Sequence, residues 1–155
     1  MRKLDTKFQS FKEVNDYIDS LVKDEKALKL ISKSFSEFLF IFKRDEFVEN
    51  FDKNAKEICF LDSVFKIFDY SYPIWILGHV SEAFKGIPTF IIISSKHTKE
   101  YLSMAINSII QLLKNKNIEF CKRIIIDKDP VEKAALDENE VGILYCKTFG
   151  FFMFY

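Results

Sequence analysis

Residues 123–136 read RIIIDKDPVEKAAL, and residues 57–62 read EICFLD. Each stretch holds an apolar run too short for a helix and suited to a buried strand. Each run stops on an aspartate, Asp127 in the first and Asp62 in the second. In α/β sheets, chemistry gathers beyond the carboxyl ends of strands, so an acid at such an end is a candidate site residue. Asp is also common where strands stop, because its side chain bonds local backbone groups. Position by itself therefore leaves both roles open.

Working outward from these runs, Pro73–Val80 reads PIWILGHV, a strand opened by proline at a permitted position. Gly86 and Pro88 mark a turn within Lys85–Pro88, and TFIIIS at 89–94 is a further strand. Three strands at this spacing predict an antiparallel meander. Thr98 is placed to cap a helix carrying Tyr101, Leu102, Ala105, Ile106, Ile109, Ile110 and Leu113 on one stripe, ending at residues 115–117. Arg123–Ile126 is the fourth strand, Pro130 opens a short helix through Leu136, and VGILYC at 141–146 is the fifth strand.

A meander followed by a helix and another strand is the order of the ribonuclease H-like fold, in which the fourth strand lies beside the first. The expected class is thus α/β, with a ribonuclease H-like mixed sheet of three antiparallel strands, a helix and two further parallel strands. Asp62 and Asp127 are then expected at the same sheet edge, within about 8 Å of each other, close enough to share divalent ions. Mg²⁺ suits two hard carboxylates. Upstream, apolar residues from Phe8 to Ile31 fit an N-terminal extension of one or two amphipathic helices. Residues 37–42 are a short buried strand or a helix end, and 43–56 a solvated helix or loop. The expected division is residues 1–45 as helical extension, 57–149 as core and 150–155 as an apolar tail.

The chain has 155 residues, 48% hydrophobic and 30% charged, the balance of one globular domain rather than a disordered or low-complexity chain. Basic and acidic residues number 23 each, so a strongly basic whole-chain footprint for nucleic acid is absent. Eighteen Phe beside three Arg fit AT-rich codon bias, which makes the phenylalanines core filler. Cys59, Cys121 and Cys146 are odd in number and widely spaced, unlike a disulfide framework, and two histidines are too scattered for a zinc site. The first residues have no apolar signal core, and the longest apolar runs, such as 38–42, fall far short of a membrane span. An intracellular protein without a membrane partner is expected, in cytoplasm or nucleus.

The wording around the aspartates resembles the catalytic domain of Mutator-like element (MULE) transposases over about residues 57–149. In that family a strand ends in D-x-T-[YH]-K, and here 62–66 read DSVFK. A Pro-led strand, a hairpin and a long helix follow, then a phrase like tDxxxAExxAI, here IIIDKDPVEKAAL, and a strand ending in lCxxH, here ILYCKTF. The resemblance implies metal-dependent DNA strand cleavage and transfer, Mg²⁺ or Mn²⁺ as cofactor and DNA as partner. It makes Asp62 and Asp127 the catalytic, metal-binding carboxylates, with Asp129 the close alternative to Asp127. It aligns Lys66 with the family lysine and Pro73 with the strand-opening proline. Glu132 and Ala135 fall on a mostly structural helix. Val64 stands where the family has Thr, and Phe149 where it has His. A third carboxylate belongs well downstream, and none can be assigned before Tyr155. The expectation is a truncated domain, inactive or nearly so alone, whose tail (Phe151, Phe152, Phe154, Tyr155) is an association patch. The alternative is a non-catalytic interaction or DNA-binding module on the same fold; an unrelated α/β regulatory domain would have an all-parallel sheet.

Other candidates read more plainly. His79 beside Gly78 is a buried strand histidine, and His97 in SSKHTKE a solvated one. Ser94 and Ser95 lack a His/Asp arrangement, and Trp75 is core. Lys114, Lys116, Lys122 and Arg123 form a modest basic cluster able to touch a phosphate backbone, with Lys66 alongside; the same charges also suit a helix C-terminus.

Overall fold

The computed structural model describes residues 10–46, 48, 58–64, 72–80 and 85–145. In chain order these give α1 (Phe11–Lys23), β1 (Ala27–Ser34), β2 (Glu37–Lys43), β3 (Ile58–Val64), β4 (Ile74–Val80) and β5 (Gly86–Ser94), followed by α2 (Lys99–Asn115), β6 (Arg123–Ile126), α3 (Pro130–Glu138) and β7 (Gly142–Tyr145). Lys66, Cys146, Phe149 and the apolar tail lie outside the described residues.

The strands form one sheet in the order β1-β2-β5-β4-β3-β6-β7. β3, β4 and β5 are an antiparallel meander, while β6 runs parallel to β3 and β7 parallel to β6. Strand order and direction from β5 to β7 are those of the ribonuclease H-like fold, and they exclude an all-parallel sheet. The N-terminal extension is helical only over α1. Residues 27–34, expected as further helix, are β1, which pairs with β2, and β2 in turn extends the sheet beyond β5. Leu28 and Leu30 flank Lys29 at the strand period of two, and Phe38–Phe42 is too apolar to stand without an antiparallel partner.

Side chains alternate across the sheet. Leu39 and Ile41 of β2, Cys59 and Leu61 of β3, Trp75 and Leu77 of β4, Phe90 and Ile92 of β5, and Ile124 and Ile126 of β6 share one core. Helices α2 and α3 cover it with Leu102, Ala105, Ile106, Ile109, Leu113, Ala135 and Leu136, all fully buried. The other face carries a smaller core under α1, where Ile18 meets Phe38 and Phe40 and the two Phe rings stack at 5.2 Å. Phe60, also fully buried, requires Gly78: a Cβ there would stand 2.1 Å from the Ile87 carbonyl oxygen and 2.7 Å from the Phe60 ring.

Helices α1, α2 and α3 end alike. After α1, Glu25 is left-handed (φ 58°) and Lys26 N–H donates to the Leu21 carbonyl; Asn117 (φ 57°) with Ile118 to Leu113, and Glu140 (φ 57°) with Val141 to Leu136, repeat the motif. This six-to-one bond satisfies a carbonyl left over at the helix end and turns the chain back toward the sheet. No helix among the described residues is long and apolar enough to cross a membrane.

Candidate active site

The register of β3 against β6 pairs Cys59 with Ile124 and Phe60 with Ile125. Two residues on in each strand come Asp62 and Asp127. β3 does not stop on Asp62 but runs on to Val64, pairing Ser63 with Trp75 and Val64 with Ile74 of β4, whereas β6 ends at Ile126. The shared register sets Asp62, two residues before the end of its strand, beside Asp127 on neighbouring parallel strands about 4.8 Å apart. Both are partly exposed. Burial raises the Asp62 carboxyl above the usual carboxylate range, and the Asp127 charge adds to the rise.

The loop after β6 holds Asp127 in place. The Asp129 N–H donates to Asp127 Oδ1 at 2.8 Å, and the Val131 N–H donates to Asp129 Oδ1 at 2.7 Å, so Asp129 is the N-cap of α3. Pro130 follows at the first helical turn, where its missing N–H costs nothing. The second oxygen of Asp129 meets His97 Nε2 at 3.1 Å. With both oxygens engaged, Asp129 is the poorer metal ligand, and Asp127 keeps its place as the second strand-end acid.

His97 is thus not the solvated turn residue its neighbours predict. Its imidazole stacks on Trp75 with ring centroids 5.3 Å apart and 16° between planes, and it bridges the β5–α2 loop to the β6–α3 loop. β5 runs in the same direction as β3, so His97 lies at the same sheet edge as the two aspartates. His79 and Trp75 are fully buried as expected, with His79 Nδ1 3.4 Å from Thr89 Oγ1.

The basic residues do not join this edge. Lys122 and Arg123 are exposed at the start of β6, and Lys114 and Lys116 at the end of α2. Four strand residues, about 13 Å, separate Arg123 from Asp127.

Glu132 gave no sequence signal beyond its helix. Asp129-Pro-Val-Glu132 has the spacing of a capping box, in which the fourth residue reaches back to the N-cap N–H and stays near the surface. Here Asp127 has taken that N–H. Glu132 instead turns inward and is fully buried, and neither carboxyl oxygen makes a hydrogen bond of good geometry, with the Ser63 side chain its nearest donor. Burial first, then the charges of Asp127 and Asp129, push its carboxyl up to about 9, with Asp62 adding less; the nearby Ser63 side chain offsets only part of this. At neutral pH Glu132 is an uncharged acid beside the aspartate pair.

The donor chemistry fits a hard divalent ion, since two carboxylates at adjacent strand ends are oxygen ligands of the right kind. Their number is small: among the described residues no three Asp, Glu, His or Cys side chains lie close enough together to enclose an ion.

No family model and no curated protein matches the sequence. Among solved structures, the chain is similar to the HTLV-2 integrase catalytic core domain in complex with magnesium, in its trimeric form, at 13% identity and a TM-score of 0.43 over 60% of this chain and 61% of that one. The dimeric form gives 14% and 0.36 over 59% and 61%. The simian T-cell lymphotropic virus intasome in complex with PP2A regulatory subunit B56 gamma gives 14% and 0.39 over 63% of this chain and 37% of that one. The chain spans about three fifths of the HTLV-2 cores and little more than a third of the intasome chain. The fold stands on its own strand order.

Proposed function

We propose that the chain is the catalytic core of a DNA strand-cleavage and transfer protein resembling MULE transposases, with Asp62 and Asp127 as its metal-binding carboxylates. The observation that carries this reading is their placement at the same end of the parallel pair β3 and β6. A bound Mg²⁺ or Mn²⁺ supplies Lewis-acid activation of a water or hydroxyl and stabilisation of the leaving oxygen of a phosphodiester. Asp62 and Asp127 would hold it. The backbone N–H of Asp129 fixes the Asp127 carboxylate, and the His97–Asp129 contact together with the Trp75 stack fixes that loop.

Two strand-end carboxylates leave a divalent ion under-ligated, so these 155 residues alone should cleave DNA weakly or not at all. The test is nicking of supercoiled DNA in Mg²⁺ or Mn²⁺. Trace nicking, abolished by Asp62→Asn and by Asp127→Asn, supports the assignment. Nicking that survives either substitution overturns it, and vigorous nicking lost in both overturns only the expected weakness. A second reading, the same fold acting as a non-catalytic DNA-binding or interaction module, is favoured by the small ligand set. It requires Asp62→Ala to leave DNA binding and biological role intact.

A further inference from the structure

We propose that Ser63, Trp75 and Glu132 enclose an ordered internal water behind the aspartate edge, and that this hydrated cluster positions the loop carrying Asp127. The inference deepens the reading of that edge as an active site, yet needs neither metal nor DNA for its test.

Ser63, Trp75, His97, Asp129 and Glu132 form a closed ring of contacts. In the β3–β4 register Ser63 stands directly opposite Trp75. Alternation from the core residue Leu61 puts Ser63 on the helix-covered face and Asp62 on the other, so the cluster backs the acid pair rather than joining it. Trp75 stacks on His97 with 5.3 Å between centroids, and His97 Nε2 lies 3.1 Å from Asp129 Oδ2. Asp129 caps α3, and Glu132 belongs to the first turn of that helix. The Ser63 side chain is the nearest donor to Glu132, which closes the ring.

Two members of the ring are fully buried and lack a well-directed hydrogen bond: the Trp75 indole N–H and the Glu132 carboxyl. A buried donor or acceptor left in that state forfeits its hydration without return. The indole nitrogen can only donate, whereas an uncharged carboxyl both donates and accepts. Beside a serine hydroxyl, the two offer a water the two to four polar partners that an internal site requires. The water accepts from Trp75 Nε1–H, donates to a Glu132 oxygen and shares the Ser63 hydroxyl. It thereby ties β3 and β4 to the first turn of α3 and sets how far that turn stands from the sheet. The same turn begins at Asp129, whose N–H donates to Asp127 Oδ1.

The test is a high-resolution crystal structure of the full chain, joined to amide NMR of the ¹⁵N-labelled chain and its variants. The expected structure has a water oxygen within about 2.7–3.2 Å of both Trp75 Nε1 and a Glu132 oxygen. An indole N–H packed only against apolar atoms, or bonded directly to Glu132, overturns the water. Glu132→Met removes a partner of the water without changing charge, since Glu132 is uncharged at neutral pH. It should shift the Asp129 amide resonance, which reads the bond to Asp127 Oδ1, and so should Trp75→Phe. Glu132→Gln keeps a polar group for the water and should leave that resonance at its wild-type position. A resonance that either Glu132→Met or Trp75→Phe leaves in place, or that Glu132→Gln moves as far as Glu132→Met, overturns the positioning role. Should Glu132→Met fail to fold, Trp75→Phe carries the same readout and the crystal structure still decides the water. None of these outcomes touches Asp62 and Asp127 as a cation pair, which stands or falls by nicking.

Discussion

The helix-covered floor of the sheet and its carboxyl edge lie within a few residues of each other and obey opposite rules. On the floor, Leu61, Ile124, Leu102, Ile106 and Ile109 are fully buried, and every one is apolar. At the edge, the Asp127 charge adds to the upward push on the Asp62 carboxyl, Glu132 on α3 is buried with only the Ser63 side chain to offset the acids around it, and the Trp75 indole nitrogen has no hydrogen-bond partner. The floor stabilises the chain; the edge costs it stability and is tolerated because the floor over-determines its position. This contrast is the physical argument for function at the edge, and it can be broken or sharpened by substitution.

The largest effect belongs to the floor. Ile106→Ala or Leu102→Ala should lower the free energy of unfolding by about 2–5 kcal/mol in chemical denaturation. A loss below about 1 kcal/mol would mean that α2 does not seat on the sheet as described. Gly78→Ala, which drives a methyl group against the Ile87 carbonyl and the Phe60 ring, should cost about 1–3 kcal/mol or more.

The edge should respond in the opposite direction. Unfolded, Glu132 ionises in the ordinary carboxylate range; folded, it does so near pH 9. Between those values the unfolded chain binds fewer protons. The stability Glu132 contributes is therefore complete below the ordinary range and is lost as pH rises toward 9, at up to about 1.4 kcal/mol per pH unit. Glu132→Gln should flatten that slope, so that its stability relative to wild type rises steadily with pH up to about 9. A slope unchanged in the variant would remove Glu132 from the edge. Asp62→Asn relieves a half-exposed repulsion that solvent screens, so its gain at neutral pH should be no more than about 1 kcal/mol. Smallest are the helix ends, where Glu25→Gly and Glu140→Gly remove the cost of a left-handed non-glycine residue and should each add about 0.5–1 kcal/mol in thermal unfolding.

The same contrast explains what could be read from residues alone. The floor is periodic. Thr98 as cap, the Leu102–Leu113 stripe, Pro130 at a first turn and the two apolar runs before Asp62 and Asp127 were legible, because burial imposes a repeat on the sequence, while the continuation of β3 past Asp62 to Val64 depends on its pairing with β4. Residues 27–34 misread as helix because Leu28, Leu30 and Ile31 satisfy either period, and only pairing with Phe38–Phe42 decides. At the edge nothing repeats. His97 sits among polar neighbours and looks solvated until Trp75, twenty-two residues earlier, is seen beneath its ring. Glu132 occupies a capping position, and only the Asp127–Asp129 bond, which depends on the loop's shape, turns it inward. The direction of β6 puts Arg123 and Asp127 at opposite ends of the strand, which the run RIIID does not disclose until its neighbours are known.

The most direct measurement of the central placement is Mn²⁺ added in substoichiometric amounts to the ¹⁵N-labelled chain, with amide resonances followed by NMR. Asp62 and Asp127 as one cation site predict selective broadening around residues 61–64 and 126–132, while the amides of Lys122 and Arg123 at the far end of β6 stay sharp. Broadening confined to other acidic surfaces, or absent from one of the two strand ends, would contradict it.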